Sequence, residues 1–371
     1  MTIRWTLPIY IVVPLVSGIA LTSWLAFRNG QMAVEELVDD ISTEVASNIE
    51  KQVSSYLDRP ALVSAAISTE VAGDNLDTDD VRLLSTSLWQ FTQSSLLVNN
   101  LYYGSETGEF VYSENQYGES RLDFVDRSTE FKRVTYRTDA AGNLGDSRTL
   151  NNYDPRERPW YRQAAADKAP VWSPVYIANS RDDLTLTRAT PVFDEANRLQ
   201  GVFGIDIYLN ELSDFMRKLT ISPNGRAFII ETSGELIASS ANEKPFLEQG
   251  DTKLRMSANN SQDPLIRETA IHLSEQVINL QNITGRETIE FELEGETQLA
   301  YIYRFQDIGV DWLLGIVIPQ NDYMETITDN AQRTILIGIG ITITVSLLSL
   351  VAALHIIHPI RKLNCAADDI K

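Results

Sequence analysis

The sequence predicts an α+β protein: two tandem antiparallel-sheet units behind one long N-terminal helix, flanked by two transmembrane helices. Three observations predict it. Two long runs lack charge, a stripe of apolar residues at helical spacing follows the first run, and alternating apolar stretches are separated by turn residues.

The charge-free runs are residues 6–27 and 334–357. Each reaches the ~20 residues that cross a bilayer core as helix. Pro8 and Pro14 are tolerable in such a helix. A cleaved signal peptide would have a shorter apolar core and a small-residue cleavage site. Here the run ends in Trp24-Leu25-Ala26-Phe27-Arg28, which favours an uncleaved anchor. The second run is apolar on all faces, which favours lipid over a protein core. Arg4 precedes the first run, and Arg361 and Lys362 follow the second. By the positive-inside rule both ends, 1–5 and 358–371, are cytoplasmic in an inner (plasma) membrane. Residues 28–333 are then extracytoplasmic, that is periplasmic.

The chain has 371 residues, 43% of them hydrophobic, so it can bury a real core. Its formal net charge is −20, with +1 in each tail and −22 between the spans. That balance argues against a nucleic-acid partner, which demands basic patches. The single cysteine, Cys365, allows no internal disulfide, so packing alone holds the exported part. The three histidines do not sit in metal-ligand spacing, and no cofactor is expected.

The helical stripe is Val34, Leu37, Val38, Ile41, Val45, Ile49, Val53 and Leu57. It predicts a long helix over 28–58, broken or kinked by Asp58-Arg59-Pro60. The first sheet unit, 59–222, starts its strands near Leu97. Leu101-Tyr102-Tyr103 and Phe110-Val111-Tyr112 flank a Gly-containing turn, and 133–137 and 147–150 flank another. A third hairpin joins 184–192 to 201–206, for a sheet of about five strands. The second unit, 223–320, holds a hairpin at 227–238, a helix at 264–280, and strands at 289–293, 299–305 and 311–318.

The stretch Tyr153-Asp154-Pro155-Arg156-Glu157-Arg158-Pro159-Trp160-Tyr161 resembles the signature of the ligand-binding module of double Cache sensors. So does the order that follows: Trp172-Ser173-Pro174-Val175-Tyr176, Thr190-Pro191-Val192-Phe193, Gly201-Val202-Phe203-Gly204-Ile205-Asp206. The likeness covers about residues 30–320 and implies two PAS-like modules, the membrane-distal one binding ligand. His358-Pro359-Ile360-Arg361-Lys362-Leu363 resembles the start of a HAMP linker. The overall style is similar to sensors of cyanobacterial cyclases and histidine kinases.

An α-amino acid needs a cation and donors for its carboxylate, and carboxylates for its ammonium. The amino-acid-binding subset of the family uses a Tyr, an Arg five residues on, Trp-Tyr, a later Tyr, an Asp two after that, and a final Asp. Tyr153, Arg158, Trp160, Tyr161, Tyr176 and Asp206 match this pattern, while the inner Asp is replaced by Ala178. Asp182 or Asp183 is a candidate substitute. The resemblance thus implies an amino acid or other carboxylate as small-molecule ligand and a homodimer as the working unit. The aromatic residues have an alternative role in packing the small helix onto the sheet. No phosphate-binding Gly-x-x-x-x-Gly-Lys loop, Gly-x-Ser-x-Gly elbow or calcium loop occurs. Asp77-Thr78-Asp79-Asp80 reads as a solvated helix start. The expected function is sensing, with any enzyme activity outside this segment. The alternatives are a membrane-anchored ectoenzyme, for which no nucleophile–base pair is evident, and a passive solute-binding protein.

Overall fold

A computed structural model describes residues 3–351, apart from 74–75, 117, 179–182, 251, 278, 306–308, 325–329, 331 and 349–350. Helix α1 (Ile3–Ala72) leads into α2 (Val81–Ser94), whose N-terminus Asp80 caps by accepting from the amides of Arg82 and Leu83. The first unit continues through β1 (Asn100–Ser105), β2 (Phe110–Gln116), β3 (Glu119–Val125), β4 (Lys132–Thr138) and β5 (Leu144–Asn152). After α3 (Pro159–Asp167) come β6 (Val171–Trp172), β7 (Tyr176–Ile177), β8 (Leu184–Phe193) and β9 (Leu199–Tyr208). These strands form one antiparallel sheet in the order β5-β4-β3-β2-β1-β9-β8-β6, with β7 also paired to β8. Nine strands stand where about five were expected, because β6 and β7 are two residues each and β3 mixes charge into its alternation.

Helix α4 (Asn210–Lys218) joins the units. The second comprises β10 (Arg226–Glu231), β11 (Leu236–Ser239), the separate hairpin β12 (Phe246–Gln249) and β13 (Thr252–Arg255), and α5 (Pro264–Gln276). Strands β14 (Arg286–Leu293), β15 (Glu296–Arg304) and β16 (Trp312–Pro319) complete a sheet of order β11-β10-β16-β15-β14. Helix α5 stops at Gln276 rather than at residue 280, because Asn279 caps a separate turn at Leu280–Asn282.

Most of the stripe on α1 is buried as its spacing predicts, but Leu37 is 46% exposed and Ile41 only half-buried. Val34, Val38, Val45, Ile49, Val53 and Leu57 are buried in one core. That core also takes Val175, Leu184 and Leu186 from the first unit and Ile229, Leu314 and Ile316 from the second. Each such side chain contributes about 1.5–3 kcal/mol by leaving water. The expected end of the helix at Pro60 is corrected by the structure: α1 runs on to Ala72. An interior proline costs about 3 kcal/mol or more. Val63 and Ile67, one and two turns further, are buried against α2 and the first sheet and offset that cost.

Among the described residues one helix is long and apolar enough to cross a membrane, and it is the N-terminal one. The described part of the second expected span is a shorter apolar helix, Gln332–Leu348. It lies beside α1, with Gly338 close against Ile19. The rest of that span and the HAMP-like end, 358–371, lie outside the described residues, apart from Val351.

Candidate functional site

The signature stretch folds as two short helical turns. Asp154 caps the first, accepting from the Arg156 amide at 2.9 Å, and Pro155 occupies its first position. Pro159 opens α3. Arg158 sits between them in extended backbone, φ −81° and ψ 146°. Its guanidinium therefore leaves both turns and lies over the rings of Tyr153 and Tyr176, 5.9 and 5.7 Å from their centroids. Gly104 lets this segment come down on the sheet, and Gly204 makes room for the Tyr102 ring on the adjacent strand. A Cβ on Gly104 would meet Pro155 Cβ at 2.6 Å, and one on Gly204 would meet the Tyr102 ring at 2.1 Å.

Strand register gathers the remaining groups. Tyr102 pairs with Tyr112 and Gly204, and Thr187 with Asp206, so all project on one face. The Tyr102 hydroxyl donates to Asp206 Oδ1 at 2.5 Å, and Thr187 donates to the same oxygen at 2.7 Å. Tyr176 shares a 2.9 Å hydrogen bond with Thr187. The Asn100 side chain clasps the Asp206 backbone on both sides, accepting from its amide at 2.8 Å and donating to its carbonyl at 3.0 Å. Burial pushes the Asp206 carboxyl above the usual range, against the pull of Tyr102, Thr187 and Arg133. Burial, with Asp206 nearby, also holds Tyr102 well above its usual value, so it remains a donor.

A cavity of about 30 Å³ lies among these side chains. Tyr153, Arg158, Trp160, Tyr176 and Asp206 line it, as does Ala178. Trp160 is fully buried and meets the Tyr102 ring edge-on at 5.0 Å, so it also packs α3 onto the sheet. Tyr161 and Asp183 are not in the lining. The Tyr161 hydroxyl is buried without a hydrogen-bond partner in the described residues, and burial with Glu106 nearby pushes its pKa to about 12. Asp183 is buried directly across from Ala178, whose amide donates to the Asp183 carbonyl at 2.9 Å. The sequence reading missed Tyr102, Tyr112, Arg133, Thr187 and Asn100. For Tyr102 and Tyr112 a signal existed: their alternation in two facing strands.

Two sheet units on one long helix, with a polar cavity closed by a short helix, are the build of a ligand-binding sensor domain. The chain belongs to the Cache domain family in its double form, dCache_1, whose profile matches residues 30–327. It is 24% identical over 250 residues to adenylate cyclase 1 of Rhizobium meliloti, covering 66% of this chain and 35% of that protein. It is 22% identical over 220 residues to the methyl-accepting chemotaxis protein PctB of Pseudomonas aeruginosa, covering 59% and 31%. The chain thus matches less than half the length of these curated relatives. Among solved structures, the ligand-binding domain of Mlp24 with asparagine has the same fold, at TM-score 0.52 and 19% identity, covering 81% of this chain and 99% of that one. The segment serves signal sensing as a ligand-binding domain.

Proposed function

We propose that the first unit, 59–222, is the membrane-distal module and binds an amino acid or a related small carboxylate. One observation carries this reading. Arg158 is half-buried and has no ion-pair partner among the described residues, yet shares a cavity with the carboxylate of Asp206. A desolvated guanidinium calls for an anion, and its planar fork matches a ligand carboxylate. Asp206, fixed by Tyr102, Thr187 and the Asn100 clasp, then receives the ammonium. Asp183 lies opposite Ala178 on the β7–β8 edge, outside the lining, and adds negative charge beside position 178 rather than within the cavity. Tyr153, Trp160 and Tyr176 wall the site, and Tyr161 supports α3 from behind. The solved relative with asparagine fits this class.

In this reading the chain crosses the plasma membrane twice, with 28–333 outside the cytoplasm, and works as a homodimer. The second unit, 223–320, is membrane-proximal. Ligand binding shifts the shared core on α1 and is relayed through the second span and the HAMP-like linker to an output domain. The cyclase relative favours a cyclase output and the chemotaxis relatives a signalling hub. Thermal-shift screening of the full chain in detergent tests the site. Stabilisation by one or more amino acids or carboxylates, lost in Arg158→Ala, is expected. No shift from any carboxylate compound contradicts it.

A further inference from the structure

We propose that the buried Arg133–Asp123 pair is a specificity element of the same cavity. It selects ligands that carry a neutral hydrogen-bonding group, an amide or hydroxyl, beyond the carboxylate. The inference rests on the proposed roles of Arg158 and Asp206.

Arg133 lines the cavity, yet its side chain is only 8% exposed and that of Asp123 only 1%. Its Nε and Nη2 both reach Asp123 Oδ2, at 2.7 and 2.5 Å. The rings of Phe110, Tyr112 and Tyr153 surround the guanidinium, with centroids 5.5, 5.3 and 5.2 Å away. The last ring is the one that Arg158 also covers, so the two cations flank one aromatic wall.

A buried ion pair contributes little to stability over apolar residues of the same volume, because desolvating both ions costs about what their attraction returns. The fold alone therefore gives little reason to keep this pair beside a cavity. What the pair offers is unusual. Asp123 already neutralises the guanidinium, so Arg133 presents N–H donors without uncompensated charge. A second ligand carboxylate would join Asp123 and Asp206 around that one cation, and like charges packed together are disfavoured. Arg133 is near enough to Asp206 to draw its pKa down, so the three groups do interact. An aliphatic group would cover the donors and leave them unpaired. An amide oxygen or hydroxyl satisfies them at no charge cost.

The test is calorimetric titration of the full chain with three near-isosteres: asparagine, aspartate and leucine. Wild type is expected to bind asparagine about tenfold or more tighter than the other two, the cost of one unpaired buried donor or charge. The double variant Asp123→Leu/Arg133→Met is expected to lose the preference, with its melting temperature reporting that it folds. Arg133→Lys, which keeps the cation but not the fork, serves if the double variant does not fold, and is expected to weaken the preference several-fold. A wild-type preference for leucine or aspartate, or a preference unchanged in these variants, overturns the inference. If Arg158→Ala still abolishes all binding in that case, the proposed function survives. If none of the ligands that shift the melting temperature is a carboxylate, both fall.

Discussion

The two sheet units are built alike and filled differently. In the second, α5 lays Ile266, Ala270 and Leu273 onto Phe228, Ile230, Ile302 and Leu313, and the hydroxyl of its buried Thr269 is satisfied within the helix by the Leu265 carbonyl. In the first, the shorter α3 sends Trp160 down but leaves Tyr102, Arg133, Arg158 and Asp206 around a cavity. The same gap between helix and sheet is a sealed core in one unit and a candidate site in the other. Apolar filling gains free energy from burial, whereas buried polar groups cost it unless they are paired. The first unit accepts that cost where a ligand can complete the pairing.

The largest expected effect breaks the second seam. Phe228→Ala removes a fully buried ring and lowers stability by about 3–5 kcal/mol in chemical denaturation. The ligand-induced shift of the protein that remains folded stays intact, and its loss would blur the distinction between the units. Next, Asp206→Asn weakens binding of an amine-bearing ligand by about 2 kcal/mol or more in titration calorimetry. It leaves stability level or slightly higher, because a desolvated carboxylate is removed. The third effect is a pH dependence. Burial raises the Asp206 pKa above its ordinary 3.8, so the stability tied to this group is present in acid and is lost as pH rises through the folded pKa. An ammonium ligand prefers the ionised form, so its affinity moves the opposite way and increases over that window. Affinity that is flat from pH 4 upward, measured by titration, would remove Asp206 as the ammonium partner. The smallest effect is that of Asp183→Asn, about 1 kcal/mol on amine-bearing ligands and none on amine-free carboxylates.

Much of this fold was legible because its signals are local. The α1 stripe, the Asp80 cap and the hairpins at β1–β2, β4–β5 and β8–β9 each follow from spacing within a few residues. Pro60 misled, since the local cost of proline is overridden by Val63 and Ile67, whose burial depends on strands far along the chain. The site divides the same way. Residues 153–160 could be read as one motif, but Tyr102, Arg133 and Thr187 come together only through the β4-β3-β2-β1-β9-β8 order. Tyr161 belongs to the motif in sequence, yet its neighbour on the helix, not Tyr161 itself, faces the cavity.

The central claim is that ligand enters the first unit and not the second. Hydrogen exchange read by mass spectrometry, on the full chain with and without a ligand that raises its melting temperature, tests it most directly. The account predicts ligand-dependent protection in the segments holding Tyr102, residues 153–161, Tyr176 and Asp206, with β10, β14, β15 and β16 little changed. Protection confined to the second unit, around α5 and its sheet, would contradict it.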